Sequence, residues 1–175
     1  DQFVEFLSSI NYLRNNFISS SLIKPNGEIL IDRTRKNNFS IKEMNSMKKI
    51  ILSNNVVNDL EQISIGTYSP LEGFMTREQL LSVLENMKLP NGTIWSMPIL
   101  LDVAKDVAQN LSIGEDALLC NNQGDVIGSI KIDDIFDMKK SFIQESFYNT
   151  TNIKHPGVKL FSKMNDSFIG GKIKL

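Results

Sequence analysis

Few residues in this sequence could do chemistry, and they are sparsely placed. There is one histidine, His155, and one cysteine, Cys120. An imidazole can serve as general acid, general base or phosphate contact, because its proton comes and goes near neutral pH. Each role needs a partner, and no second ligand or acid–base group stands near His155 in sequence. His155 is therefore read as a structural imidazole, hydrogen-bonded in the turn before Pro156. Cys120 has no basic neighbour to favour a thiolate, so it is read as unreactive. A single cysteine permits neither an internal disulfide nor a cysteine-cluster zinc site. Asp133, Asp134 and Asp137 could gather around a cation, but they lack the glycine and terminal Glu of an EF-hand loop. A solvated turn is the expectation there. Gly170-Gly171-Lys172 lacks the spacing and the hydroxyl of a Walker loop. Arg33, Arg35 and Lys36 form the densest basic group, expected on a solvated face.

Composition narrows the choices further. The 175 residues carry 19 basic and 20 acidic side chains, for a net charge of −1. That balance offers no strong field to nucleic acid or anionic membrane. Hydrophobic content of 41% and charged content of 22% are ordinary for a globular chain, and the length suits one domain with a small appendage. No run of about 18 apolar residues is present, so no transmembrane helix is expected. No signal peptide is visible. The first residue is Asp1 rather than Met, so an N-terminal targeting segment could be missing. With one cysteine, a reducing, cytoplasmic setting is the expectation.

Periodicity supplies the elements that must position these groups. Phe3, Phe6, Leu7, Ile10, Leu13 and Phe17 make one apolar helical face over Gln2–Ile18. This segment is read as an extra helix docked on the domain. A partner-binding or membrane-surface helix is the alternative, disfavoured by the few basic residues that flank it. Residues 22–30 read as strand, turn, strand about Pro25 and Gly27. Ser40 and Glu43 have capping-box spacing, predicting a short helix with Ile41, Met44 and Met47 inward. A brief strand at Ile50–Leu52 and a helix at Asn55–Ile65 follow. Thr76 and Gln79 make a second capping box, with Leu80, Leu84 and Met87 as the stripe of the next helix.

Leu89-Pro90-Asn91-Gly92 is a turn. Alternation from Trp95 to Val103 predicts a half-buried strand with Trp95 in the core, and Pro98 marks an edge or bulge. Ala117–Cys120 and Val126–Ile132 pair as a hairpin about Asn121–Asp125. A helix over Met138–Phe147 should turn Phe142, Ile143 and Phe147 inward. Asn149–Lys154 is loop, and Phe168–Ile173 is a last strand. Helices come early and antiparallel strands late, which argues an α+β fold with a small barrel-like sheet.

The longest informative run is Asp59 to Met75. A helix enters it, and Gly66 can supply the left-handed backbone that ends that helix. Ser69-Pro70 initiates a turn. Leu71, Phe74 and Met75 should pack inward, each contributing roughly 1.5–3 kcal/mol if fully buried. The run resembles the signature of the N-terminal domain of the sulfate adenylyltransferases, D-L-E-x-I-x-x-G followed by Y-S-P-L-x-G-F-M. Asp59, Leu60, Glu61, Ile63, Gly66, Tyr68, Ser69, Pro70, Leu71, Gly73, Phe74 and Met75 carry it. The family's W-x-x-P-I-x-L-x-V is matched by Trp95, Pro98, Ile99, Leu101 and Val103. Its H-P-G-V is matched by His155, Pro156, Gly157 and Val158. The family's opening P-H-G-G-x-L is broken, with Asn26 in place of the histidine and Glu28 in place of the second glycine.

The resemblance spans about Leu22 to Ile173. It implies, over 22–175, a PUA-like small β-barrel with flanking helices, while the helical extension over 1–21 has no counterpart in it and rests on periodicity alone. It also implies a full-length enzyme that makes adenosine 5′-phosphosulfate and pyrophosphate from sulfate and Mg-ATP. The family's catalytic marks, Q-x-R-N-P and H-x-x-H, belong to the domain that follows. Neither occurs here, and one histidine rules out the second. The expectation is therefore a fragment without its catalytic domain and without catalytic, cofactor-binding or metal-binding residues of its own. The signature residues are expected to be structural or interdomain. The implied partners are the chain's own catalytic domain and, as an open possibility, a second copy. Two other readings stand: a PUA-like RNA-binding module, and a free-standing interaction domain.

Overall fold

The structure is a computed structural model that describes residues 24–34 and 39–175. The expected helix over 2–18 lies outside the described residues, as do Leu22, Ile23, Arg35 and Lys36.

Local sequence explains the helix starts. Helix α1 (Ile41–Ser46) opens with the expected box. The Ser40 hydroxyl accepts from the Glu43 N–H at 3.3 Å, and the Glu43 carboxylate accepts from the Ser40 N–H at 2.7 Å. Helix α2 (Asn54–Ser64) starts where Ser53 accepts from the Val56 N–H at 3.4 Å. Val56, Leu60 and Ile63 recur at helical spacing, and all three are buried. Helix α3 (Arg77–Asn86) opens with the box of Thr76 and Gln79.

The stripe of α3 runs through Leu80 and Val83, not to Met87. Met87 is left-handed at φ 52° and closes the helix, so its side chain leaves the apolar face and stands 66% exposed.

The six-stranded sheet gathers β1 (Lys49–Ile51), β2 (Gly73–Phe74), β3 (Leu101–Val103), β4 (Asp116–Cys120), β5 (Val126–Asp137) and β6 (Ser167–Lys174). Its order is β1-β4-β5-β6-β2, with β3 also on β6. Only β1 with β4 is parallel; the other pairings are antiparallel. Strand β6 is the hub. It pairs with β5 along one side, and with β3 and then β2 end to end along the other. Phe74, Phe168, Leu60, Ile63, Leu80 and Ile130 are fully buried in the core, and Phe136 stacks on Phe168 at 5.6 Å.

Several expectations are corrected. Around Pro25 only the turn forms, closed by the Glu28 N–H donating to the Pro25 carbonyl at 2.9 Å; residues 24–34 contain no strand. The strand expected from Trp95 to Val103 shrinks to β3. Ile99, Leu100 and Leu101 are buried in succession while Met97 is 51% exposed, so the alternation fails. Trp95 is half-buried rather than a full core residue, and its ring N–H donates to the Met97 carbonyl at 2.5 Å.

The expected aspartate turn is strand. Strand β5 runs on to Asp137, with its register shift between Ile132 and Asp134 falling at Asp133. Helix α4 (Lys105–Gln109) was not expected. Helix α5 (Lys140–Tyr148) buries Ile143 and Gln144, leaving Phe142 48% exposed and Phe147 half-buried. The turn expected before Pro156 is present, with the His155 N–H donating to the Asn152 carbonyl at 2.9 Å, and helix α6 (Pro156–Phe161), which was not expected, follows it. Among the described residues no helix is long and apolar enough to cross a membrane.

Candidate functional site

The loop after α2 is built around one close approach. Gly66 sits at φ 86°, and a Cβ there would lie 2.4 Å from the Ile31 carbonyl oxygen. Only glycine therefore lets the segment 24–34 cross the end of α2. Ser69, buried, fastens that crossing. Its hydroxyl donates to the Gly66 carbonyl at 2.6 Å and accepts from the Ile31 N–H at 3.0 Å. The Ser69–Pro70 peptide is cis, and the Leu71 N–H donates back to the Tyr68 carbonyl at 2.8 Å. The Arg33 N–H reaches the carbonyl of Ser64 at 2.8 Å.

The loop then enters the sheet. Gly73 lies against Gly171 of β6, where a Cβ would fall 1.8 Å from the Gly171 carbonyl oxygen. Leu71, Phe74 and Met75 are buried, as their apolar character requires. The Glu72 carbonyl accepts from the Ile173 N–H at 3.0 Å, and the Met75 N–H donates to the Ile99 carbonyl at 3.0 Å. The Glu72 carboxylate pairs with Arg33 and, at 3.3 Å, with Lys172. Arg33, expected on a solvated face, is thus half-buried and ties the incoming segment to β6 through Glu72. Sequence spacing held no signal for this triad, because its members are far apart in the chain.

Upstream, Asp59 and Tyr68 meet across the mouth of the loop. The Tyr68 hydroxyl lies 3.4 Å from the Asp59 carboxylate, and its ring meets Trp95 edge-on at 6.1 Å. Burial pushes the Asp59 carboxyl above its ordinary value, against the opposing hydrogen bond from Tyr68. Burial, then the Asp59 charge and hydrogen bond, push the Tyr68 phenol up. Glu61 is exposed and Leu60 buried.

The second signature stretch is a helix start. His155 precedes α6 and its Nδ1 accepts from the Val158 N–H at 3.4 Å, with Pro156 in the first turn. The imidazole packs on the Tyr148 ring at 5.1 Å. Gly157 passes under that ring, where a Cβ would come within 2.5 Å of a ring carbon. The two stretches lie on different elements, the first running from α2 into β2 and the second opening α6.

Two clefts adjoin these elements and a third lies apart, between β5 and the start of β6. The cleft beside the Pro70–Phe74 segment, about 350 Å³, is lined by Glu72, Glu78 and Asp133 against the single cation Lys172. With Glu72 paired to Arg33 and Lys172, the remaining carboxylates, Glu78 and Asp133, disfavour phosphate and sulfate there. A second cleft, about 280 Å³, holds Asp59, Asp102, Tyr148 and Lys163 among apolar walls, and Asp102 accepts from the Asn165 N–H at 2.7 Å and from its side-chain amide at 2.9 Å.

The third cleft, about 460 Å³, has Lys105, Lys139 and Lys140. Its lysines face Asp137 and Asp166, and the Lys140 ammonium donates to the Met164 carbonyl at 2.6 Å. Asp134 accepts from the Arg77 N–H at 2.8 Å and Asp137 from the Ser167 hydroxyl at 2.6 Å, so these two carboxylates close internal contacts. Cys120 is buried on β4, and burial raises its thiol pKa. Among the described residues no group of three His, Cys, Asp or Glu side chains could hold a metal ion.

Comparison with known proteins gives the following. The model of the PUA-like domain family matches residues 23–175. A sulfate adenylyltransferase of Persephonella marina is 34% identical over 155 residues, covering 87% of this chain and 40% of that protein. A probable bifunctional SAT/APS kinase of Sorangium cellulosum is 33% identical over 157 residues, covering 88% of this chain and 27% of that protein. Among solved structures, a hexameric APS kinase from Thiobacillus denitrificans superposes with a TM-score of 0.61 at 21% identity, over 87% of this chain and 26% of that one. At that identity the likeness is one of fold. The chain spans about two-fifths of the length of the first curated relatives that it matches.

Proposed function

The chain belongs to the PUA-like domain family, and on that footing we propose that it is the N-terminal, non-catalytic domain of a sulfate adenylyltransferase. In the full-length enzyme a sulfate oxygen would attack the α-phosphorus of ATP. The bond to pyrophosphate breaks, and adenosine 5′-phosphosulfate forms. Crowding those anions together calls for cationic groups and hydrogen-bond donors aimed at them. Mg²⁺ would come with the nucleotide, carried by its phosphates.

One observation carries the non-catalytic reading. The polar groups at the heart of the first signature stretch are taken up inside the domain. Ser69 fastens Gly66 to Ile31, and Glu72 holds Arg33 and Lys172. The cleft beside them presents carboxylates. The domain's role in this reading is support: a small barrel, closed from the six strands, packs against the catalytic domain and leaves a face for a second copy. The whole would work in the cytoplasm. Nucleic acid is a poor partner on this reading, since the chain's net charge is −1.

A pyrophosphate-release assay tests the proposal. The isolated chain should show no sulfate-dependent release from Mg-ATP. A chimera in which this chain replaces the matching segment of the Persephonella marina relative should show it. Sulfate-dependent turnover by the isolated chain would overturn the assignment.

A further inference from the structure

A half-buried carboxylate lines an apolar cleft with little to neutralise it. Among the described residues the one partner of Asp59 is the Tyr68 hydroxyl, 3.4 Å away. The cleft, about 280 Å³, lies between α2, β3 and the ends of α5 and α6. That volume is at the small end of ligand pockets, which run from roughly 300 Å³.

Three elements build the cleft in the same manner, each giving one apolar and one polar residue. On α2, Val56 and Asp59 are three residues apart and share a face. At β3, Leu100 and Asp102 are two residues apart along extended chain and share a side. At and after the end of α6 stand Phe161 and Lys163. Val56, Leu100 and Phe161 are buried, so the floor is apolar.

The charges in the cleft do not cancel. Asp102 spends one carboxylate oxygen on both bonds from Asn165, at 2.7 Å and 2.9 Å, and its other oxygen has no partner among the described residues. Lys163 is exposed and forms no ion pair among the described residues. The half-buried Tyr148 hydroxyl also lines the cleft and has no hydrogen-bond partner among them. A carboxylate held against apolar side chains without a counterion is costly. Hard divalent cations want about six oxygen ligands, which these walls do not supply. A cation that carries its own apolar stem suits both the carboxylates and the floor.

We propose that this cleft binds a small organic cation, an ammonium or guanidinium head on a short apolar stem. Asp59 and Asp102 hold the head, the Tyr148 hydroxyl accepts a further N–H, and the stem lies on Val56, Leu100 and Phe161. The inference goes beyond the sulfate-activation reading and does not depend on it.

The test titrates n-butylguanidinium chloride into the intact chain beside n-butylurea, its neutral isostere, and follows backbone amide shifts by NMR. The guanidinium should bind saturably and about tenfold more tightly than the urea, or better, because hydrogen bonds to charged groups are the stronger ones. The shifts should centre on Val56, Asp59, Asp102 and Tyr148. Asp59→Asn should weaken binding about tenfold, while Glu78→Gln, in a different cleft, should leave it unchanged. Thermal melts check that both variants fold.

Equal binding of the urea would overturn the proposal, since apolar contact alone would then explain it. So would unchanged affinity in folded Asp59→Asn, shifts centred on another part of the domain, or no saturable binding. Acetyl-arginine-amide binding more tightly than n-butylguanidinium would overturn the small-molecule assignment in favour of an arginine side chain from a protein.

Discussion

Two of the three stretches that carry the fixed motif residues are held in opposite ways. The Asp59–Met75 stretch is threaded through the domain. Its glycines sit where backbone passes backbone, both its serines are buried, and its last residues join the sheet. The His155–Val158 stretch begins at the surface, where His155 is exposed and one cap at 3.4 Å starts a helix of six residues, and only its last residue, Val158, reaches the core. Equal fixity of sequence thus covers two physical situations. In the first, a side chain added in the wrong place meets backbone that cannot move. In the second, it meets a ring that can turn, or removes one hydrogen bond at the water boundary.

The sharpest way to break that contrast is at Gly73. Gly73→Ala would set a methyl 1.8 Å from the Gly171 carbonyl oxygen, so β2 must leave β6. A loss above about 4 kcal/mol is expected, seen as failure to accumulate folded protein or as collapse of the thermal melt. Gly92→Ala is the control. Nothing lies within 4 Å of it, and its left-handed φ of 86° should cost only about 1–2 kcal/mol.

Ser69→Ala comes next. It strands the Ile31 N–H and removes the donor to Gly66, for an expected loss of about 1–3 kcal/mol. A lower urea midpoint with an unchanged slope would show it. His155→Ala should cost less, about 1 kcal/mol, and His155→Asn should restore most of that through its own cap. If His155→Ala proves costlier than Ser69→Ala, the imidazole does more than cap α6 and the contrast fails.

The smallest effect concerns pH. The Asp59 carboxyl titrates above its ordinary value of 3.8 in the folded chain because it is buried. As pH rises past 3.8 the unfolded chain releases this proton first, so Asp59 lowers stability with rising pH until the folded carboxyl has also ionised. Asp59→Asn should remove that slope and leave stability at low pH nearly unchanged, since the amide oxygen can still accept from Tyr68. Thermal melts of both proteins across an acid-to-neutral series would decide it.

Local chemistry was legible in the sequence, and distant pairing was not. Both capping boxes lie within four residues, so Ser40 with Glu43 and Thr76 with Gln79 could be read directly. The hairpin about Gly124 was equally local. The inward packing of Leu71, Phe74 and Met75 followed from their apolar character. What failed depended on tertiary context. Asp133, Asp134 and Asp137 look like turn residues, yet pairing with β6 holds them in β5, where Arg77 and Ser167 bind two of the carboxylates. The alternation after Trp95 suggested a strand, but burial of Leu100 as well as Ile99 and Leu101 overrode it. At the candidate site, Glu72 occupied a free position in the motif, and nothing near it in sequence named Arg33 or Lys172 as its partners.

Strand β6 follows every other strand in chain order, yet β2, β3 and β5 all lean on it. A ribosome delivers Gly73 about a hundred residues before Lys172, its partner in the ladder. At roughly 5–20 residues per second, that half of the nascent sheet waits on the order of 5–20 s with Phe74 and Leu101 uncovered. The domain therefore completes itself only once its final strand leaves the exit tunnel, and its yield in a cell should follow chaperone supply during that interval.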